Sequence, residues 1–322
     1  MSGANGKRMW RAAKGGAPGS IMLMGEHAVL RGQPALVCAI NRRLSAEVRP
    51  RGDAKVLLHS SLGDHETTLE ELAGNDSFRF AMGAIRACRE ELGGGFEMEI
   101  RSGMSHQMGL GSSAAVTVAA LAALRCAAGE DAPDAGRLLE DGLRIVRKVQ
   151  GGVGSGADVA ASAFGGCARY FAGTQETVKL PISPALTLLY SGYKTPTAEV
   201  IALVEERRGR EGERALYDGL DALIGATVQR GFEAAAEGDL EGLGRAMDMN
   251  QGLMDAMGVN DARLSELVYA LREDPGISGS KISGSGLGDC AVGLGRAMRR
   301  DFGAVMLDLE VDPVGATAEV MG

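Results

Sequence analysis

The residues best equipped for chemistry lie in Gly109-Leu110-Gly111-Ser112-Ser113-Ala114, a glycine- and serine-rich turn ahead of an Ala/Val/Leu run over 114–128 that stops at Gly129. Such a run predicts a helix. A helix entered this way points free backbone N–H groups and the positive end of its dipole into the turn. Glycine lets a ligand approach the backbone closely, and the hydroxyls of Ser112 and Ser113 can cap the helix, touch phosphate or ligate Mg²⁺. The expected chemistry is anion binding, with a nucleotide phosphate as the tenant. The turn is not a Walker A loop, because no Gly-Lys-Ser/Thr follows, and it contains no G-x-G-x-x-G. Glycine turns with a serine cap also open helices that bind nothing.

Two further segments fit the same chemistry. A short apolar strand over 21–24 runs through Gly25 into Glu26 and His27. A carboxylate and an imidazole at the end of a buried strand suit a polyhydroxyl or carboxylate substrate, although a charged loop beside a hairpin would read the same way. Near the C-terminus, Lys281-Ile-Ser-Gly-Ser-Gly-Leu-Gly-Asp-Cys-Ala-Val292 is a second glycine-serine loop entering an apolar strand.

Together the three segments resemble the GHMP kinases. The pattern Pro-Gly-x-x-x-x-x-Gly-Glu-His-Ala-Val-Leu-x-Gly at 18–32 is most similar to the mevalonate kinase branch, as are 191–197 and 250–259. The likeness covers nearly the whole chain in the expected order. It implies an α+β, two-lobed GHMP kinase fold: an S5 domain 2-like N-terminal lobe over 1–175 with the ATP phosphate loop, and a ferredoxin-like C-terminal lobe over 176–322. The substrate cleft would lie between them. It further implies ATP and Mg²⁺, with nucleotide contacts at Gly109, Leu110, Gly111, Ser112, Ser113 and Ala114. Ser112 and Ser113 would serve the metal. Asp158 would orient the acceptor hydroxyl and accept its proton, whereas without the resemblance Gly-Ser-Gly-Ala-Asp is ordinary turn chemistry. Acceptor contacts would come from Glu26, His27, Lys194, Thr197, Gly284 and Ser285. Many such kinases are homodimers, but no interface is legible here.

The departures matter as much. The flanks of Asp158 and the Gly288-Asp289-Cys290 segment look more like phosphomevalonate kinase. Ser20 stands where the family has a lysine, and Arg147, eleven residues before Asp158, stands where the mevalonate kinase pattern has a Mg²⁺-binding glutamate. Lys14, Lys148 and Lys194 are candidates for the missing lysine charge. Arg147 and Lys148 could serve a phosphorylated acceptor. Mevalonate is therefore the first expected acceptor and 5-phosphomevalonate the second. A decarboxylase of the same superfamily fits less well at Glu-His-Ala-Val, and the alternative of another class is a catalytically silent binding protein.

Composition agrees with a soluble enzyme. A chain of 322 residues is long for a single core and suggests two lobes. The formal net charge of −8 gives no footprint for nucleic acid. The basic cluster Arg207, Arg208 and Arg210 is surrounded by Glu205, Glu206, Glu211 and Glu213, which reads as a solvated helix face. Five cysteines without C-x-x-C spacing read as reduced, mostly buried thiols of a cytoplasmic protein. No signal peptide or membrane span is expected, and the first dozen residues should be loosely ordered. His106 is placed at a surface or pocket rim, while His59 and His65 carry no signal.

The elements that must position these residues follow from periodicity. Strands are expected over 21–24, 35–40, 44–49, 56–59, 96–101, 186–190, 290–294 and 304–310. Helices are expected over 78–92, 114–128, 136–149, 198–208, 213–237, 240–257 and 261–273. The stretch 173–184, with Pro181 and Pro184, is the expected crossing between lobes.

Overall fold

Two antiparallel-rich sheets carry the chain. The structure is a computed structural model that describes residues 10–104 and 108–322. His106, Gln107 and most of the N-terminal dozen therefore lie outside the described residues. The strands are β1 (Ala13–Met24), β2 (Pro34–Pro50), β3 (Lys55–Ser60), β4 (Gly63–Thr68), β5 (Phe96–Ser102), β6 (Cys167–Phe171), β7 (Thr177–Leu180), β8 (Ala185–Tyr190), β9 (Ile277–Ser283), β10 (Cys290–Gly295), β11 (Val305–Glu310) and β12 (Thr317–Val320). The helices are α1 (Arg79–Cys88), α2 (Ser112–Ala127), α3 (Ala135–Val149), α4 (Ala157–Phe164), α5 (Thr197–Arg208), α6 (Arg214–Ala236), α7 (Leu240–Ala256) and α8 (Ala262–Arg272).

The first sheet runs β12-β1-β2-β5-β3-β4, with β6 on the first half of β2 and β7 on β6; the second runs β11-β8-β10-β9. Because β7 still belongs to the first sheet and β12 returns to it, the sheets divide the chain after Leu180 and again before Thr317, rather than at 175/176. The two runs expected over 35–40 and 44–49 are one long strand, β2, whose ends pair with different neighbours. Alternation in β5 does what periodicity demands: Phe96, Met98 and Ile100 are buried and the residues between them face outward.

Helix α2 is buried around nearly its whole circumference, which an alanine-rich sequence permits and a polar face would forbid. It lies directly on β1 because Gly15 has no side chain. A Cβ there would come within 2.2 Å of the Ala119 carbonyl oxygen. Helices α2 and α4 pack on β1 and β2, with α1 and α3 outside α2; α7 and α8 cover β9 and β10, and α6 joins α7 to β2.

Two expectations fail. Cys38 and Cys167 are cross-strand partners on β2 and β6, with Cα atoms 4.1 Å apart, and form a disulfide rather than a pair of reduced thiols. Cys88, Cys126 and Cys290 remain buried free thiols. Arg208 is not on a solvated face: it is buried against Asp221, with Asp218 as a second carboxylate partner, and Arg207 donates to the carbonyls of Met257 and Gly258. The acidic residues that close these contacts lie on α6, beyond the local window that sequence patterning reads.

Candidate functional site

The cleft is built where the ends of β1, α2, α4, α5 and β9 converge. Its lining includes Glu26, His27, Gly109, Gly111–Ala114, Asp158, Lys194, Thr197, Ser283–Ser285 and Asp289. Of the nucleotide contacts, acceptor contacts and proton acceptor expected from the resemblance, only Leu110 does not line it. That side chain is buried, and its carbonyl accepts the Ser20 amide at 3.0 Å, which ties the turn to β1.

Helix α2 starts two residues earlier than expected, at Ser112, and its N-cap is Gly111 in the left-handed region at φ 68°. Gly111 has no side chain to cap with, so the hydroxyls of Ser112 and Ser113 are not consumed as caps. A Cβ at Gly111 would also lie 1.9 Å from Ser20 Oγ, and one at Gly109 2.2 Å from Asp289 Oδ2. These two glycines are required by the packing of Ser20 and Asp289, independently of any ligand.

Asp158 sits in the first turn of α4, after the positive-φ Gly156, so it is a helix residue rather than part of a turn. Ser20 Oγ donates to its Oδ1 at 2.6 Å. The residue is exposed to the cleft, with protein atoms crowding the other sides of its carboxyl. Burial raises its pKa above the ordinary carboxylate range, the Ser20 hydrogen bond and Lys194 pull it back, and Asp289 adds to the rise. Ser20 is wholly buried and orients Asp158, which is a different task from that of a reaching lysine.

Of the three lysines considered for that charge, Lys194 alone lines the cleft; Lys14 pairs with Glu47 on the sheet and Lys148 is exposed elsewhere. Lys194 Nζ is 2.9 Å from Asp289 Oδ2, and Asp289 Oδ1 accepts the Gly109 amide at 2.7 Å. Arg147 donates through Nε to the Gly154 carbonyl at 3.0 Å, bracing the loop ahead of α4 rather than lining the cleft.

Glu26 turns its carboxylate inward to Lys281, a fully buried lysine on β9 that also donates to the Ile282 carbonyl; Glu26 Oε2 is buried with no partner among the described residues. His27, at φ 59°, places Nε2 2.8 Å from the Ser285 carbonyl oxygen. Burial lowers the pKa of the His27 ring, which favours the neutral imidazole, Nε2–H donating to that oxygen. Ser283 Oγ donates to the Met22 carbonyl at 3.2 Å. The β9 segment is thereby fastened along the exit of β1.

A second cavity adjoins the first and shares Ser112 and Ser113 with it; Leu44, Leu62, Phe78, Phe80 and Ile100 give it apolar walls, with Ser60 and Asp76 among its polar groups. It was not legible in the sequence, because its walls come from five separate segments. Lys281 lies inside β9 rather than in the glycine-serine loop, and its neighbours Ser280, Ile282 and Ser283 give no local sign that it is buried. Ser20 was visible only as a departure, and Asp289 only as part of a phosphomevalonate kinase-like stretch.

A helix N-terminus shared by two cavities, with a carboxylate and a lysine across one of them, is an arrangement that suits a phosphate group in the cleft. The GHMP kinases N terminal domain family matches residues 79–166 and the GHMP kinases C terminal family residues 232–304, and the chain belongs to the GHMP kinases. The mevalonate kinase of Thermococcus gammatolerans is 36% identical over 86% of this chain and 87% of its own length. That of Aeropyrum pernix is 31% identical over 89% of each. Among solved structures, L. major mevalonate kinase in complex with R-mevalonate superposes with a TM-score of 0.74 at 22% identity, covering 94% of this chain and 96% of that one. The fold is likewise shared with Streptococcus pneumoniae phosphomevalonate kinase in complex with phosphomevalonate and AMPPNP, with a TM-score of 0.72, 19% identity and coverage of 88% and 92%. No helix among the described residues is long and apolar enough to cross a membrane.

Proposed function

We propose that the chain is an ATP-dependent kinase that phosphorylates the primary hydroxyl of mevalonate. The observation that carries the choice of acceptor is the charge of the cleft. Lys194 is the only Lys or Arg among the described residues that line it, and it shares the cleft with Asp158 and Asp289, the charge of Glu26 being met by Lys281. An acceptor that already bears a phosphate needs added cationic donors. Arg147 and Lys148, the candidates for that task, lie outside the lining. An acceptor with a single carboxylate can be held by the donors of the Gly284–Ser285 loop, which leaves Lys194 to the transferring group.

The nucleotide fits across the two cavities, its phosphates over the N-terminus of α2 and its base in the apolar cavity beyond Ser112 and Ser113. Asp158 accepts the proton of the acceptor hydroxyl as that oxygen forms a bond to the γ-phosphorus, and the bond from phosphorus to the β-bridging oxygen breaks to release ADP. Ser20 holds Asp158 in orientation. The N–H groups at the start of α2, together with Lys194, neutralise charge on the transferring group. The donor set fits Mg²⁺ arriving with the nucleotide: no three His, Cys, Asp or Glu side chains cluster as a cage among the described residues, and Ser112 and Ser113 present hydroxyls at the cleft. Mg²⁺ there would spread the charge of the phosphates while keeping most of its waters. The N-terminal lobe would comprise the first sheet with α1–α4, and the C-terminal lobe the second sheet with α5–α8.

The test is ADP release with Mg-ATP and either mevalonate or 5-phosphomevalonate. Turnover of mevalonate, lowered on the order of 10²–10⁴-fold in Asp158→Ala, is expected. Turnover of the phosphorylated acceptor alone would overturn the choice of acceptor, and nucleotide binding without turnover of either would favour a silent binding protein.

A further inference from the structure

At the turn ahead of α2 the anion site is met by a carboxylate of the chain itself. Asp289 Oδ1 takes the Gly109 amide at 2.7 Å and Oδ2 takes Lys194 at 2.9 Å. These are one backbone donor from the turn ahead of α2 and the only Lys or Arg among the described residues that line the cleft, the two kinds of group a phosphoryl oxygen would claim. The arrangement is built. Asp289 adopts φ 69°, a left-handed conformation that is costly for a residue with a Cβ, and its amide and carbonyl are pinned by Tyr193 and Ser191. Gly109 leaves room for the carboxylate, since a side chain there would collide with it. The remaining contact of Oδ1 is the neighbouring Cys290 thiol at 3.4 Å.

We propose that Asp289 is a gate on the phosphate site: its carboxylate occupies the Gly109 amide and Lys194 until a phosphoryl group of the nucleotide displaces it. The exchange takes no covalent step. Asp289 turns off the loop, and Lys194 passes from a carboxylate oxygen to a phosphate oxygen. The gate thereby sets how strongly a polyphosphate must bind before Lys194 becomes available, and it penalises small anions with too few contacts to complete the exchange. This inference rests on the placement of the nucleotide phosphates at α2.

The test is equilibrium binding of AMPPNP, and separately of inorganic pyrophosphate, to the full chain, with and without Mg²⁺. The wild type is compared with Asp289→Asn and Asp289→Gly. Asparagine keeps the shape and removes the charge, while glycine relaxes the positive φ and guards against a folding defect. Loss of one charge-assisted competitor predicts binding about five- to tenfold tighter in both variants, in the presence and absence of Mg²⁺, with the larger gain for pyrophosphate. Unchanged or weaker binding in both variants would overturn the gate. Weakening only when Mg²⁺ is present would also overturn it and make Asp289 a metal ligand instead. If the wild type binds neither probe, the nucleotide placement itself fails and the gate falls with it. If the wild type binds while the variants do not tighten, only the gate fails.

Discussion

Two lysine–carboxylate pairs flank the same cleft and differ in nearly every physical respect. Lys281 and Glu26 have side chains 0% and 1% exposed, whereas Lys194 and Asp289 are 35% and 10% exposed. Both link a segment of the second sheet's half of the chain to the cleft, but the first is reinforced by the neighbouring Ser283–Met22 and His27–Ser285 contacts. The second stands at the edge of the open cleft. A dry pair cannot exchange partners cheaply, because each charge loses its only compensation on leaving. A half-open pair exchanges more readily, because Lys194 reaches solvent and the largely buried Asp289 still has the Gly109 amide. The dry pair therefore suits fixing the position of the β9–β10 loop, and the half-open pair suits participation in binding.

The sharpest way to break this contrast is to remove each lysine in turn. Lys281→Met strands the Glu26 carboxylate in the interior and should cost about 3–5 kcal/mol of stability, read from urea unfolding. Adding Glu26→Gln should recover a large part of it. A loss below about 1 kcal/mol would mean that the pair is hydrated in solution and that the two regions are alike. Lys194→Met should behave in the opposite way. The midpoint of unfolding should move by no more than the equivalent of about 1 kcal/mol, as for other solvent-open pairs. Turnover should fall on the order of 10²-fold, because a donor to the transferring group is lost. A large stability loss with little effect on turnover would reverse the assignment of the two pairs.

The legibility of the molecule in its sequence followed the same division between local and assembled features. Strands and helices set by periodicity over a few turns, such as β5 and α2, could be read directly, and so could the glycine turn ahead of α2. Features made by distant segments could not. β6 and the Cys38–Cys167 pair depend on a register between strands 129 residues apart. The buried partner of Arg208, Asp221, lies on another helix, and the walls of the second cavity come from five segments. Glu26 was legible as a carboxylate at the end of a buried strand, but its pairing with Lys281 was not, because nothing local indicates which charges will meet in the interior. Ser20 is the most instructive residue. Against a family pattern it registers as a missing lysine, and only the 2.6 Å contact with Asp158 gives it a task.

The smallest expected effect separates orientation from charge at that contact. Ser20→Ala removes one buried hydroxyl and leaves all lysines in place, so its cost to stability should be about 1 kcal/mol. Its signature should lie in the pH dependence of kcat/KM. Asp158 must be ionised to take the proton, and burial has already raised its pKa, so the acid limb of the wild type should lie above the ordinary carboxylate range. The hydroxyl of Ser20 donates to the carboxylate and favours the charged form. Without it the folded-state pKa rises further, and the acid limb of Ser20→Ala should move to higher pH while the rate well above that limb falls only modestly. Lys194→Met should move the limb in the same direction, since Lys194 also favours the ionised form, but with a deep loss of rate at every pH. An acid limb that stays in place or moves to lower pH in Ser20→Ala would show that Ser20 does not act through the Asp158 proton, leaving it a packing residue beneath Gly111.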